Sequence, residues 1–259
     1  MKKLFILIFA AGLFSCNSEK KKTETVAVKN TDLIQQNLQG KIQGVTEATY
    51  AMDSLGNIKS DSTFAISSYD EKGYQVKSIT KDSSGKITME QTMSHNADGS
   101  FAELVTMKNG KQFNKLITEV KDGKYNGGKA YDSTSEQTGY YTDLKQNEYG
   151  IVYEGRKHDM NGKVVNTFTM KYDGPHFTGG TSTDSTGKTD YTGSVKLNEK
   201  GDPIEESTTT LQKGVSKTEV TTYKYESADE KGNWLQRTTY NDKGKATKIL
   251  KRTISYYKD

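Results

Sequence analysis

A four-residue phrase, Asx-x-x-Gly, recurs along most of the chain and constrains its fold more than any other feature. Asp or Asn at the first position of a type I turn accepts hydrogen bonds from the backbone that follows, and Gly at the fourth adopts positive φ. Such a turn joins two antiparallel strands in a hairpin. The phrase therefore predicts repeated chain reversals, at Asp53-Gly56, Asp70-Gly73, Asp82-Gly85, Asn96-Gly99, Asn147-Gly150, Asp159-Gly162, Asp184-Gly187, Asn198-Gly201, Asp229-Gly232 and Asn241-Gly244.

Two tighter turns and the spacing between all the turns predict the rest of the architecture. "KNGK" at 108–111 and "KDGK" at 121–124 favour two-residue turns whose central residues both have positive φ. The intervals, such as "VTTYKY" and "WLQRTTY", are rich in β-branched and aromatic residues. We therefore predict an all-β fold over residues 41–259, an extended antiparallel β-meander of repeated hairpins forming an open, curved or partly single-layer sheet.

The predicted strands distinguish their two faces only weakly. In "WLQRTTY" one face carries Trp234, Gln236, Thr238 and Tyr240, and the other carries Leu235, Arg237 and Thr239. Hydrophobic residues make up 32% of the chain, which is low for a globular domain. This pattern predicts a thin core, or a sheet with both faces partly exposed to solvent. Strong turns are then needed to hold the strand register.

Two segments depart from the meander pattern. "TDLIQQNLQG" at 31–40 predicts a short helix, capped by Thr31 or Asp32 and ended by Gly40. "YDGPHFTGG" at 172–180 places Pro175 among glycines, which favours a longer loop or a structural corner.

The amino-terminal residues have the pattern of an export signal. Two Lys precede an apolar run from Leu4 to Phe14, which is about half the ~20 residues that span a bilayer. Leu13-Phe14-Ser15-Cys16 resembles the lipobox of bacterial lipoproteins, and the resemblance implies cleavage before Cys16 and acylation of this residue. Two or three acyl chains would anchor the protein almost permanently. We expect a signal peptide at 1–15, the acylated Cys16 with a polar tether at 16–40, and the hairpin domain at 41–259.

Charge and cysteine content exclude other classes. Cys16 is the only cysteine, so no intramolecular disulfide can form. The net charge of +4 includes Lys2 and Lys3 of the signal and the "KKK" beside the anchor, so the body is nearly neutral. We therefore expect a membrane partner through the lipid anchor and no nucleic-acid partner.

The end of the chain resembles a known repeat. The segment from Tyr223 to Tyr257 is similar to the YD-type repeats of Bacteroidota lipoproteins and exported proteins, in which Tyr-x-Tyr leads into Asp-x-x-Gly-Asn-Trp and a closing Arg-x-Ile-x-Tyr strand. The Lys/Thr/Gly-rich meander is also similar in style to spirochaete outer-surface lipoproteins. These resemblances imply an architecture and an envelope location, and they carry over no catalytic residue.

Motifs for metal, cofactor or catalytic chemistry are missing from the sequence. The three histidines, His95, His158 and His176, are far apart in the chain. Neither a Gly-x-Ser-x-Gly elbow nor a His-Glu-x-x-His helix occurs. We therefore predict no catalytic residue, no metal site and no cofactor.

Aromatic residues are the candidates for binding. Tyr223, Tyr225, Trp234, Tyr240 and Tyr256 cluster near the carboxyl end, where exposed rings could stack on sugars or contact a peptide. The alternative is that the rings form the core through cross-strand pairs.

The sequence thus predicts a lipid-anchored cell-envelope lipoprotein that acts as a non-enzymatic binding or envelope-interaction module for a protein or glycan. The alternative is a periplasmic lipid or lipoprotein carrier with a half-barrel sheet, and an enzyme acting on envelope polysaccharide ranks third. Asn17 after the lipobox gives no inner-membrane retention signal, so the outer membrane is expected, with the periplasmic or surface face undecided.

Overall fold

The protein is a single antiparallel β-sheet preceded by one short helix. The computed structural model describes residues 31–53, 55–212 and 215–258. Helix α1 spans Asp32–Gln35, with Thr31 as its N-cap. The strands are β1 Ile42–Met52, β2 Ile58–Tyr69, β3 Gln75–Lys81, β4 Ile87–His95, β5 Phe101–Lys108, β6 Lys111–Lys121, β7 Lys124–Tyr131, β8 Gln137–Gln146, β9 Val152–His158, β10 Val164–Asp173, β11 His176–Asp184, β12 Thr189–Leu197, β13 Pro203–Gln212, β14 Val215–Ala228, β15 Trp234–Asn241 and β16 Ala246–Tyr256.

The sheet closes on itself as a barrel of 16 strands. Strand β1 pairs with β2 on one side and with β16 on the other, in a register that runs from Gly44 opposite Ser255 to Ala51 opposite Lys248. The prediction of an open, curved or partly single-layer sheet is therefore wrong, and so is the half-barrel of the carrier alternative. The meander itself is present, but the pairing that closes it joins the two ends of the sheet, which no local turn can specify.

The predicted turns are confirmed. In all ten Asx-x-x-Gly phrases the Gly amide donates to the Asx carbonyl and the Asx amide donates to the carbonyl four residues on. Each of these glycines has positive φ, as do both central residues of the turns Asn109-Gly110 and Asp122-Gly123. Asp132 begins another such turn, in which Ser135 replaces Gly at a φ of 65°. The predicted corner at Pro175 is instead a tight reversal at 174–175 between β10 and β11.

The turns alternate between the two ends of the barrel. The end that carries the turns β2–β3, β4–β5, β12–β13 and β14–β15, together with the start of β1 and the end of β16, is called the α1 rim, because α1 lies there. The other end carries the turns β1–β2, β3–β4 and β15–β16 and is called the far rim.

Side chains alternate between the lumen and the outer wall, and the lumen holds two apolar clusters near the α1 rim. One contains Met93, Phe101, Leu104 and Tyr125, all on or beside β4–β7. The other joins α1 to β1 and β2 through the buried side chains Leu33, Leu38, Ile42, Val45 and Tyr69. The core is thus thin and concentrated at one end of the barrel.

The outer wall mixes apolar side chains, such as Ile79 and Ile117, with ion pairs between neighbouring strands. Five Lys side chains contact carboxylates at 2.6 to 3.0 Å, and each side chain is partly exposed, in the pairs Lys77-Glu90, Lys115-Glu103, Lys129-Glu119, Lys145-Glu154 and Lys196-Glu205. These pairs lie on strands β3–β9 and on β12 and β13, and each joins two adjacent strands.

Candidate functional site

A cavity of about 250 Å³ lies inside the barrel at the α1 rim. Gln35, Gln36 and Asn37 line it from the amino-terminal side, and the barrel wall from β11 to β16 lines the rest. The lining from the barrel wall combines apolar, aromatic and charged side chains, including Phe177, Val195, Leu197, Glu206, Tyr225, Trp234, Arg237 and Arg252. Concave sites that mix apolar walls with a few polar groups are the usual places for small ligands.

Residues 31–40, here called the α1 segment, lie across the α1 rim and cover the cavity. The Leu33 amide donates to the Gly73 carbonyl in the β2–β3 turn, and Asn37 Nδ2 donates to Asp202 Oδ1 in the β12–β13 turn at 2.9 Å. Gln39 exchanges two hydrogen bonds with the Asn233 side chain in the β14–β15 turn. The segment therefore bridges turns from well-separated parts of the barrel, and the predicted tether of 16–40 ends in this packed region.

Gln36 fixes the middle of the α1 segment against the wall. Its Oε1 accepts a hydrogen bond from the Tyr69 hydroxyl at 2.6 Å, and its Nε2 donates to Gln75 Oε1 at 3.1 Å. Thr31 caps the helix as predicted, since its Oγ1 accepts from the Ile34 amide. The helix ends at Gln35, earlier than the predicted end at Gly40.

A buried acid and a histidine lie where the α1 segment meets β3 and β4. Asp32 Oδ2 accepts a hydrogen bond from the Gln75 amide at 2.6 Å and lies 3.7 Å from His95 Nε2. Burial raises the pKa of Asp32 to about 7 and lowers the pKa of His95. The contact between Asp32 and His95 therefore makes the packing of the α1 segment dependent on pH.

An indole ring between cations forms one wall of the cavity. The Arg252 guanidinium carbon lies 3.3 Å from the Trp234 ring centroid, and that of Arg237 lies 5.1 Å from it. Arg237 also lies over the Tyr223 ring, at 4.4 Å, and the Tyr225 ring is 5.4 Å from Trp234. Cation–π contacts of this kind hold guanidinium groups in fixed planes.

The carboxylates around these arginines already have partners. Glu47 Oε1 accepts from Arg252 Nε at 2.6 Å, and Asp202 accepts from Asn37. Glu206 lies beside Tyr223, and burial together with the charge of this carboxylate raises the pKa of the tyrosine.

Three buried donors on the cavity lining have no acceptor among the residues that the structure describes. They are Gln35 Nε2, Arg237 Nε and Arg252 Nη1. A buried donor without an acceptor costs about 1–3 kcal/mol. The protein therefore satisfies the two guanidinium groups of the lining only in part.

The structure brings together only some of the predicted aromatic residues. Tyr225 and Trp234 line the cavity, and Tyr223 lies behind Arg237. Tyr256 is at the α1 rim, where its hydroxyl contacts Asp229 and Asn233. Tyr240 is paired with Thr222 on the outer wall, away from the cavity.

Sequence reasoning missed Arg237 and Arg252 as site residues. One signal was available, because the chain has only three arginines, Arg156, Arg237 and Arg252, among 37 basic residues. Arginine rather than lysine is typical of planar, stacked recognition sites. The predicted lipidation site, Cys16, lies outside the described residues. Within the described ranges, no group of three or more His, Cys, Asp or Glu side chains has a metal-binding arrangement.

The barrel is similar to solved structures from Bacteroides. A porin-like protein from Bacteroides uniformis superimposes with a TM-score of 0.53 at 12% identity, covering 83% of this chain and 96% of that one. The two chains share a fold. A porin-like protein from Bacteroides vulgatus aligns with a TM-score of 0.44 at 10% identity, covering 85% of this chain and 99% of that one. No protein-family model and no curated sequence matches the chain.

No helix in the described part of the chain is both long and apolar enough to cross a membrane.

Proposed function

We propose that this chain is a lipid-anchored lipoprotein of the cell envelope, and that its barrel lies outside the bilayer and binds a small ligand in the cavity beneath the α1 segment. The charged pairs on the outer wall are the observation that carries the proposal. The pattern around Cys16 supports the anchor, and the cavity lining supports binding. The role is non-enzymatic.

The outer wall carries charged pairs at levels where a wall in contact with lipid is apolar. Membrane-spanning barrels present an apolar band about 25 Å tall between two girdles of aromatic residues. Here the wall carries Lys–carboxylate pairs such as Lys115-Glu103 and Lys129-Glu119 in the middle of strands β5–β7. A lysine at the midplane of a bilayer costs about 2–4 kcal/mol, so several such positions oppose insertion.

The second candidate is a pore, because the structural neighbour from Bacteroides uniformis is a porin-like protein. The closed barrel favours this reading. The α1 segment and the apolar clusters oppose it, because they fill the lumen at one rim. We therefore rank the pore below the anchored binding barrel.

The anchor is tested by comparing the tagged full-length chain with Cys16→Ala in a bacterial host that processes lipoproteins. The control is Ser18→Ala, which leaves the lipobox intact. We expect the original chain and the control to incorporate labelled palmitate and to sediment with membranes, while Cys16→Ala does neither. Palmitate incorporation by Cys16→Ala would refute the anchor.

The position of the barrel is tested by washing the membranes and by conductance. Cys16→Ala should be extracted at high pH without detergent, and the purified chain should add no channels to a planar bilayer. Retention of Cys16→Ala together with regular conductance steps would establish the pore instead. Protease treatment of intact cells then assigns the barrel to the surface if it is digested and to the periplasm if it is protected.

A further inference from the structure

We infer that the cavity beneath the α1 segment binds an organic carboxylate, with its carboxylate on Arg237 and Arg252 and its apolar part against Phe177, Val195 and Leu197. The inference rests on the proposed binding role and adds the chemical class of the ligand.

The lining offers donors that only an acceptor can satisfy. Arg237 Nε and Arg252 Nη1 are buried and have no acceptor among the described residues. Arginine has five N–H donors and no acceptor, so turning either side chain cannot replace the unpaired donor with an acceptor. Two of the three arginines of the chain thus line one cavity, and a ligand oxygen reaches their unpaired Nε and Nη1 atoms once the covering side chains shift.

The protein itself does not supply the missing acceptor. Glu47 accepts from Arg252 Nε, Asp202 accepts from Asn37, and Glu206 lies beside Tyr223. A carboxylate ligand would use the guanidinium donors that these contacts leave unpaired. Guanidinium groups match the planar, two-oxygen geometry of a carboxylate.

The remaining lining sets the size and nature of the rest of the ligand. Phe177, Val195 and Leu197 supply apolar surface, and Trp234 adds an aromatic wall. The volume of about 250 Å³ equals that of roughly eight water molecules in the liquid. A small cyclic or branched acid fits this space.

Trp234 makes the inference directly measurable, because it is the only tryptophan in the chain and lies on the cavity wall. The emission of the full-length chain in a nonionic detergent is recorded during titration with cyclohexanecarboxylate, which is transparent at the excitation wavelength. The matched probe is cyclohexanecarboxamide, which has the same ring without the charge. Inorganic phosphate tests an anion without an apolar part.

We expect a saturable change with the carboxylate and binding at least about tenfold weaker for the amide and for phosphate, the factor of one charge-assisted hydrogen bond. Arg237→Gln should weaken carboxylate binding by a similar factor, and Arg237→Lys should restore only part of it. Arg156→Gln, at an exposed pair with Asp143, is the control and should leave binding unchanged. Circular dichroism verifies that each variant keeps its β structure.

Three results would overturn the inference: an amide that binds as tightly as the acid, phosphate that binds as tightly as the acid, or emission that does not respond to the carboxylate in a folded chain. None of them bears on Cys16 acylation or on the position of the barrel. Conversely, regular conductance steps with intact carboxylate binding would refute the location and leave the ligand class standing.

Discussion

The two rims of the barrel are built from the same turn and have opposite environments. At the far rim, Asp53 accepts hydrogen bonds from the amides of Leu55 and Asn57, and the turn is exposed. At the α1 rim, Asp229 accepts from the corresponding amides of Lys231 and Asn233, and Asn233 is only 2% exposed. The hydrogen bonds within the two turns are equivalent, so they do not decide whether a turn is buried. The α1 segment decides it, because this segment packs on one rim only.

Most exposed apolar side chains show the same contrast. Six large exposed ones lie at or next to the far rim, namely Leu55, Ile58, Ile87, Phe113, Met160 and Val215, and one, Ile204, lies at the α1 rim. At the α1 rim the equivalent apolar residues, such as Ile42 and Tyr69, are buried against α1. Stability should therefore be concentrated at the α1 rim, and two pairs of substitutions and one pH profile test this.

The largest difference is expected for Ile42→Ala compared with Ile87→Ala. Ile42 is fully buried, and Ile87 is 40% exposed at the far rim. Truncating a buried isoleucine removes packing and leaves a cavity, so the free energy of unfolding should fall by about 2–5 kcal/mol. Ile87→Ala should cost less than about 1 kcal/mol. Urea unfolding followed by Trp234 emission measures both, and equal losses would contradict the asymmetry.

The second difference concerns pH. Burial raises the pKa of Asp32 from 3.8 to about 7, so the folded chain retains a proton that the unfolded chain releases. Stability should then fall as pH rises from about 4 to 7, by at most about 4 kcal/mol. Asp32→Asn keeps the acceptor for the Gln75 amide and should remove this slope.

His95 acts in the same pH range with the opposite sign. Burial lowers its pKa, so its contribution is lost as pH falls below its usual value of 6.5. The difference between the original chain and Asp32→Asn isolates the carboxyl, since both retain His95. At the far rim, hydrogen bonds from Asn57 lower the pKa of Asp53, so its contribution is lost only as pH falls below 3.8. Parallel stability curves for the original chain and Asp32→Asn between pH 4 and 7 would refute the Asp32 assignment.

The smallest difference is expected for Asn233→Ala compared with Asn57→Ala, which change the same position of the turn. Asn233 exchanges two hydrogen bonds with Gln39 and donates one to the Tyr256 hydroxyl, whereas Asn57 Nδ2 contacts only its own turn, at Asp53. We expect losses of about 1–3 kcal/mol for Asn233→Ala and less than about 0.5 kcal/mol for Asn57→Ala. Thermal unfolding by circular dichroism compares the two. A loss at Asn57 as large as that at Asn233 would show that the turn, and not the α1 segment, sets the cost.

The candidate site could be predicted only in part. Tyr225 and Trp234 were identifiable because they belong to a run of aromatic residues near the carboxyl end. Tyr240 belongs to the same run, but the strand pairing places it on the outer wall. Glu47 could not be connected with Arg252, since these residues are 205 positions apart and meet only where β1 pairs with β16.

The sequence by itself determined the turns, the strands between them and the cap of α1. These depend on contacts within about five residues, such as Asp229 with Asn233, so their physics is contained in the local sequence. The tertiary structure alone decided that the sheet closes, which rim is covered and which cations meet in the cavity. Closure depends on the pairing of distant strand edges, and the faces of these strands are too similar in polarity for their sequences to specify which side becomes the lumen.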